Sequence, residues 1–80
     1  MKEERLVPTY LVSENLDCIA YHLGKLFIRF RSGGVYSYDG VPYDYYDSLQ
    51  KVESAGKFFH QWIRNKFHYT RLDKDPFAAN

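Results

Sequence analysis

Lys25-Leu26-Phe27-Ile28-Arg29-Phe30-Arg31-Ser32-Gly33-Gly34-Val35-Tyr36-Ser37-Tyr38 is the stretch that decides the fold of this chain. From Lys25 to Arg31 the residues alternate. Leu26, Ile28 and Phe30 form one set, and Phe27, Arg29 and Arg31 the other. Successive side chains of a strand point to opposite faces, so the two sets belong to opposite faces of one strand. Ser32-Gly33-Gly34 supplies glycines for the positive φ of a tight hairpin turn. Val35 to Tyr38 is the returning strand, and Asp39-Gly40 stops it. Upstream, Cys18-Ile19-Ala20-Tyr21-His22 is a further strand, joined through a turn at Leu23-Gly24. The three make an antiparallel meander.

Loop length then sets the faces. With two-residue loops, Ile19 and Tyr21 share a face with Leu26, Ile28 and Phe30, joined by Val35 and Ser37. That face is the expected core. Cys18, Ala20, Phe27, Arg29, Arg31, Tyr36 and Tyr38 then occupy the opposite face. A three-residue loop at Ser32-Gly33-Gly34 reverses the parity and sends Tyr36 and Tyr38 into the core. The sequence leaves both options open.

Outward from the meander, Pro42 suits a first helical position, because its missing N–H is not needed there. A short helix from about Pro42 to Leu49 brings Tyr45, Tyr46 and Leu49 to the sheet. Ser54 reads as the N-cap of a main helix running from Ala55 to about Lys66. Ala55, Phe58, Phe59, Trp62 and Ile63 form its apolar stripe, with Phe58, Phe59 and Trp62 assigned to the core. Leu6 to Val12, interrupted by Pro8, is at best a short edge segment. Phe67 to Leu72 is a final strand or a docked extension. The termini, 1–5 and 73–80, read as flexible. The fold class is therefore α+β in one domain over residues 1–80. A three- or four-stranded antiparallel sheet packs against one main C-terminal helix, with a short helix before it.

Composition narrows the function classes. Eight Tyr, six Phe and one Trp give a small chain the buried area it needs, and they exclude a disordered polymer. The net charge of +1 gives no global field toward nucleic acid or membrane. Residues 51–74 are locally basic, with six cationic against two acidic side chains. Cys18 is the one cysteine, which rules out an internal disulfide and a cysteine-based metal cluster. His22, His60 and His68 are scattered and no ligand spacing completes them, so no metal site and no cofactor are expected. No run approaches the ~20 apolar residues of a membrane span, and residues 1–5 do not begin a signal peptide. The expectation is a cytoplasmic protein without a membrane contact.

Three pieces of the chain, in order, resemble the KTSC family. The first is Leu26 to Tyr38 with its Tyr-x-Tyr, and the second is Gly40-Val41-Pro42. The third is Ser54-Ala55-Gly56-Lys57-Phe58-Phe59, followed by Ile63-Arg64 and Tyr69. Together they cover about residues 16–70. The family is named for a domain at the C-terminus of some lysyl-tRNA synthetases and also occurs as short free-standing bacterial proteins. The resemblance implies a bacterial domain with no defined catalytic residues and a suggested link to RNA.

The residues support a concrete site. Phe27, Arg29, Arg31, Tyr36 and Tyr38 on one open sheet face could stack on bases and contact phosphates. Lys57 and Arg64 would add phosphate contacts. The same residue types also suit ordinary cross-strand pairing, and the basic set also suits an ordinary polar helix face. Ser54 to Lys57 lacks the phosphate-loop pattern and reads as a cap. Asp39, Asp44, Asp47 and Tyr43 are conceivable acid–base groups, but a catalytic carboxylate pair needs a pocket that shifts its pKa and an 80-residue domain has little room for one, so the chain is read as a non-enzyme. The expected partner is RNA, either tRNA or a single strand. The alternative is another protein, held by the sheet face or an edge strand.

Overall fold

The computed structural model describes residues 5–78. Its order is β1 (Thr9–Tyr10), β2 (Leu16–His22), β3 (Lys25–Phe30), β4 (Val35–Asp39), α1 (Tyr43–Lys51), α2 (Ala55–Phe58), a π-helical turn (Phe59–Ile63) and β5 (Tyr69–Arg71). The strands form one antiparallel sheet in sequence order. The three- or four-strand expectation is corrected to five. Both Thr9–Tyr10, inside the stretch read as at best an edge segment, and Tyr69–Arg71, inside the stretch read as a final strand or a docked extension, pair as short edge strands. Residues 1–4, expected to be flexible, lie outside the described residues.

Both hairpins follow from their turns. Leu23 and Gly24 adopt positive φ (51° and 76°), as a two-residue turn between β2 and β3 requires. Ile19 therefore pairs with Ile28, and Tyr21 with Leu26. The second hairpin takes the other parity. Phe30 donates its N–H to Gly34, and Gly33 donates back to Phe30, closing the three-residue loop Arg31-Ser32-Gly33 with Gly33 at φ 109°. Tyr36 now faces Ile28 and Tyr38 faces Leu26. The two-residue reading, which placed these tyrosines opposite the core, is overturned: Tyr38 is 5% exposed.

A register shift between Leu16 and Cys18 adds a second departure from strict alternation. It lets Leu16 and Ile19 enter the same core while Cys18 and Ala20 point to the other side. The extra residue is Asp17, and a bulge of this kind re-aims its side chain. Here it directs the carboxylate at Arg29 and Arg31.

Pro42 serves as the N-cap of α1 and not as its first helical residue, and α1 is the longer of the two α-helices. Ser54 caps α2, its Oγ accepting the Lys57 N–H at 3.2 Å. The main helix expected to run to Lys66 ends earlier. After Phe58 it widens into the π turn, where Arg64 donates to the Phe59 carbonyl. In a wider turn each residue advances by less than the about 100° of an α-helix. The lag carries Ile63 onto the sheet, where it is fully buried, and carries Trp62 off it. Trp62, expected in the core, is 47% exposed and stands against Phe58 at 6.3 Å.

The sheet has two covered faces. Leu16, Ile19, Leu26, Ile28 and Tyr38 pack under Val41, Leu49, Ala55, Phe59 and Ile63. On the other face, Cys18, Ala20 and Val35 pack against Phe77, with Leu6, Phe27 and Leu72 at the margins. Residues 73–78, expected to be flexible, run alongside this face. Pro76 and Ala78 bracket Leu6 with two backbone hydrogen bonds, and Phe77 is 3% exposed.

Candidate functional site

The five residues expected on one open sheet face, and Lys57 and Arg64 expected to add phosphate contacts, do not come together. Phe27 belongs to the face covered by the terminal segments. Arg29 lies on the same face, fixed by Asp17 (2.8 Å) and Asp75 with its guanidinium over the Phe77 ring. Those carboxylates raise the Arg29 pKa, Asp75 contributing most. Burial alone would raise the Asp75 pKa, but the Phe77 N–H and Arg29 outweigh it and hold the carboxyl below its ordinary value. Arg31 donates to the carbonyls of Ser13 and Leu11 and lies 3.4 Å from Asp17, which ties the β1–β2 connection to the hairpin. Tyr36 and Tyr38 lie on the helix-covered face. Lys57 is exposed at the start of α2. Arg64, at the end of the π turn, is exposed and 3.2 Å from His60.

Among the described residues, therefore, these side chains form no open aromatic–arginine sheet face. The structure builds a different cleft, between the end of the π turn and the β4–β5 edge. Its volume is about 360 Å³. Its lining includes buried Tyr38 and Phe59, half-buried Tyr36, and the exposed Tyr69, Arg64 and Asn65. The rings are in contact: Tyr36 to Tyr69 is 5.8 Å, Tyr38 to Tyr69 5.9 Å, and Tyr38 to Phe59 5.7 Å. Tyr69 is 53% exposed, while Tyr36 is half-buried. Arg71 pairs with Tyr36 across the strands and lies over its ring at 5.9 Å. Arg64 also borders a neighbouring hollow of about 400 Å³, which reaches Arg31 and His60.

Local sequence explains the cleft. The three-residue hairpin loop turns Tyr36 inward. The early end of the helix places Arg64 beside the sheet edge, and Asn65 takes positive φ (62°) to turn the chain back toward β5. Alternation along β5 then puts Tyr69 and Arg71 on the same side as Tyr38 and Tyr36. Tyr69 and Arg71 are the residues that sequence reasoning did not assign to the site. Their i, i+2 spacing matches that of Tyr36 and Tyr38, but only the β4–β5 pairing brings the two sets together.

The cleft can stack planar rings and hold anions. Burial, with Tyr36 and Tyr69 nearby, pushes the Tyr38 phenol up to about 12. On the far face, burial pushes the Cys18 thiol up to about 11. Among the described residues no group of three or more His, Cys, Asp or Glu is placed to hold a metal ion. No helix among them is long and apolar enough to cross a membrane.

The model of the KTSC domain family matches residues 12–67. The chain belongs to this family. The crystal structure of a KTSC domain protein from Yersinia pestis superimposes with a TM-score of 0.78 at 29% identity, covering 84% of this chain and 97% of that one. A lysine–tRNA ligase of Trichormus variabilis is 40% identical over 47 residues, and one of a Nostoc species is 36% identical over 47. Each of these matches takes in 59% of this chain but only 8% of the ligase. The family match of this KTSC domain includes Tyr36, Tyr38, Phe59 and Arg64. Tyr69, Arg71 and the terminal segments lie beyond it.

Proposed function

We propose that this KTSC domain is a small, non-catalytic RNA-binding module of the cytoplasm. It holds an unpaired RNA segment in the cleft between the π turn and the β4–β5 edge. The observation that carries the reading is the ring cluster that includes the exposed Tyr69, with Arg64 in the cleft lining and Arg71 over the Tyr36 ring. Base stacking on such rings contributes about 1–3 kcal/mol per base and tolerates any base. Arg64 and Arg71 are positioned for the flanking phosphates. The likeness to part of two lysine–tRNA ligases supports tRNA, or a single-stranded region of it, as the ligand class. With two phosphate contacts, log K should fall against log[salt] with a slope of about −1.4.

The test is an amide NMR titration with short single-stranded RNAs and with bulk tRNA, at low and physiological salt. The expected result is shifts grouped on Tyr36, Arg64, Tyr69 and Arg71, weakened by salt. Tyr69→Ala should reduce affinity about tenfold, from the loss of one stacked base. An absence of shifts at low salt refutes the reading. A second reading, a protein-interaction adaptor, draws on one feature: Trp62 stands half in solvent on Phe58. Shifts confined to those two rings on addition of a protein partner, with none from RNA, would favour it.

A further inference from the structure

The family match leaves out the segments at Leu6 and at residues 72–78 that cover the second sheet face. In this chain that face is covered by the terminal segments, and the way they sit defines a recognition pattern. The hollow is floored by small side chains, Cys18, Ala20 and Val35, and Phe77 fills it. Two residues before Phe77, the Asp75 carboxylate meets Arg29, whose guanidinium also lies 5.4 Å from the centre of the Phe77 ring. Asp75 further accepts the Phe77 N–H at 2.9 Å, which pre-shapes the turn. A carboxylate placed two residues ahead of an aromatic ring is therefore read by one arginine and one apolar hollow.

The cover is held by side chains and by Leu6, outside the sheet's own ladders. Residues 75–78 form one isolated bridge to Leu6 and no ladder with the sheet. Leu72 makes the last backbone hydrogen bond to the sheet, donating to Val35 at 2.9 Å, and Asp73 and Lys74 after it are exposed. A terminal segment outside the sheet's hydrogen-bond ladders opens by local unfolding at lower free energy than the core. The main core beneath the helices includes none of these residues.

We propose that residues 72–78 are a displaceable strap, and that the face beneath is a second docking surface. It would accept in trans an extended peptide carrying a carboxylate two residues before an aromatic ring. The strap is the occupant in cis and limits access. This surface lies on the opposite side of the sheet from the RNA cleft and does not depend on it.

Cys18 is the chain's one cysteine and lies under Phe77, so its alkylation reports the uncovered face. The first measurement uses the intact wild-type chain, with alkylation rates across low urea compared with global unfolding by circular dichroism. Labelling should outpace global unfolding and depend only weakly on urea, because little surface is exposed on opening. Labelling that follows global unfolding at every urea concentration overturns the strap. The second uses the full-length Phe77→Ala variant, which should label at least about tenfold faster than wild type with unchanged circular dichroism. A synthetic peptide of residues 72–78, added at about millimolar concentration to match the effective concentration of a short tether, should slow that labelling. The same peptide with Ala in place of the aromatic residue should not. A wild-type peptide without effect overturns the docking surface, even if the strap opens. If Phe77→Ala does not fold, Asp75→Asn replaces it, with a smaller increase in labelling and the same peptide rescue expected.

Discussion

Replacing Ile63 with Ala tests the π turn, which decides which side chains the last helical segment buries. Ile63 is fully buried among Leu16, Ile28 and Phe59 of the main core. At about 0.8 kcal/mol per buried carbon, the transfer loss is about 2.4 kcal/mol. The cavity left behind adds to this, within the about 2–5 kcal/mol seen for such truncations. A central value of about 3 kcal/mol corresponds to a fall in Tm of about 12–24 °C for a domain of this size. The control is Trp62→Glu. It removes a half-exposed ring and its contact with Phe58, which should destabilise by about 1–2 kcal/mol. Thermal melts followed by circular dichroism give both numbers. In a regular α-helix Trp62 would stand in the centre of the apolar stripe, and a carboxylate there would abolish folding. A Trp62→Glu protein less stable than Ile63→Ala therefore refutes the π register. The same conclusion follows if fluorescence from Trp62 is blue-shifted and unquenched by acrylamide.

Other perturbations bear on the remaining features. The Tyr38 pKa is raised by burial from its ordinary 10 to about 12, so the folded state keeps a proton that the unfolded chain loses. This contribution is intact below about pH 10 and is lost as pH rises toward 12, about 2–3 kcal/mol in all. Tyr38→Phe should flatten that alkaline limb in pH-dependent urea melts; an unchanged limb would contradict the assignment. Ser54→Ala removes the cap oxygen from the Lys57 N–H and should lower stability by about 1 kcal/mol in the same melts. Gly33→Ala places a side chain at φ 109° with open space around it, so backbone strain alone should destabilise by about 1–3 kcal/mol. A neutral result would mean the hairpin has another loop.

The candidate site shows why residue types were readable and their grouping was not. Arg29 and Tyr36 are seven positions apart in one hairpin, and either loop length is compatible with Ser32-Gly33-Gly34. One residue more in the loop moved Tyr36 and Tyr38 across the sheet, away from Arg29. Arg29 was then taken up by Asp75, forty-six positions away, a pairing that leaves no trace in local pattern. Tyr69 was visible only as part of a family resemblance. Its role at the cleft depends on an edge pairing of three residues.

Local pattern alone specifies the three central strands, the Leu23-Gly24 turn, the helix after Pro42 and the cap at Ser54. Each of these rests on alternation, positive-φ residues or capping chemistry within a few neighbours. Tertiary structure decided the rest. The bulge at Asp17, the loop parity and the π turn are one-residue choices that local propensity leaves nearly equal, and the core selects among them by which side chains it can bury. Phe77 reads as a lone ring in a polar tail until folding brings Leu6, Cys18 and Val35 together from distant parts of the chain. Burial is a property of that assembled surface, which is why neither the second core nor the strap across it can be read from neighbouring residues.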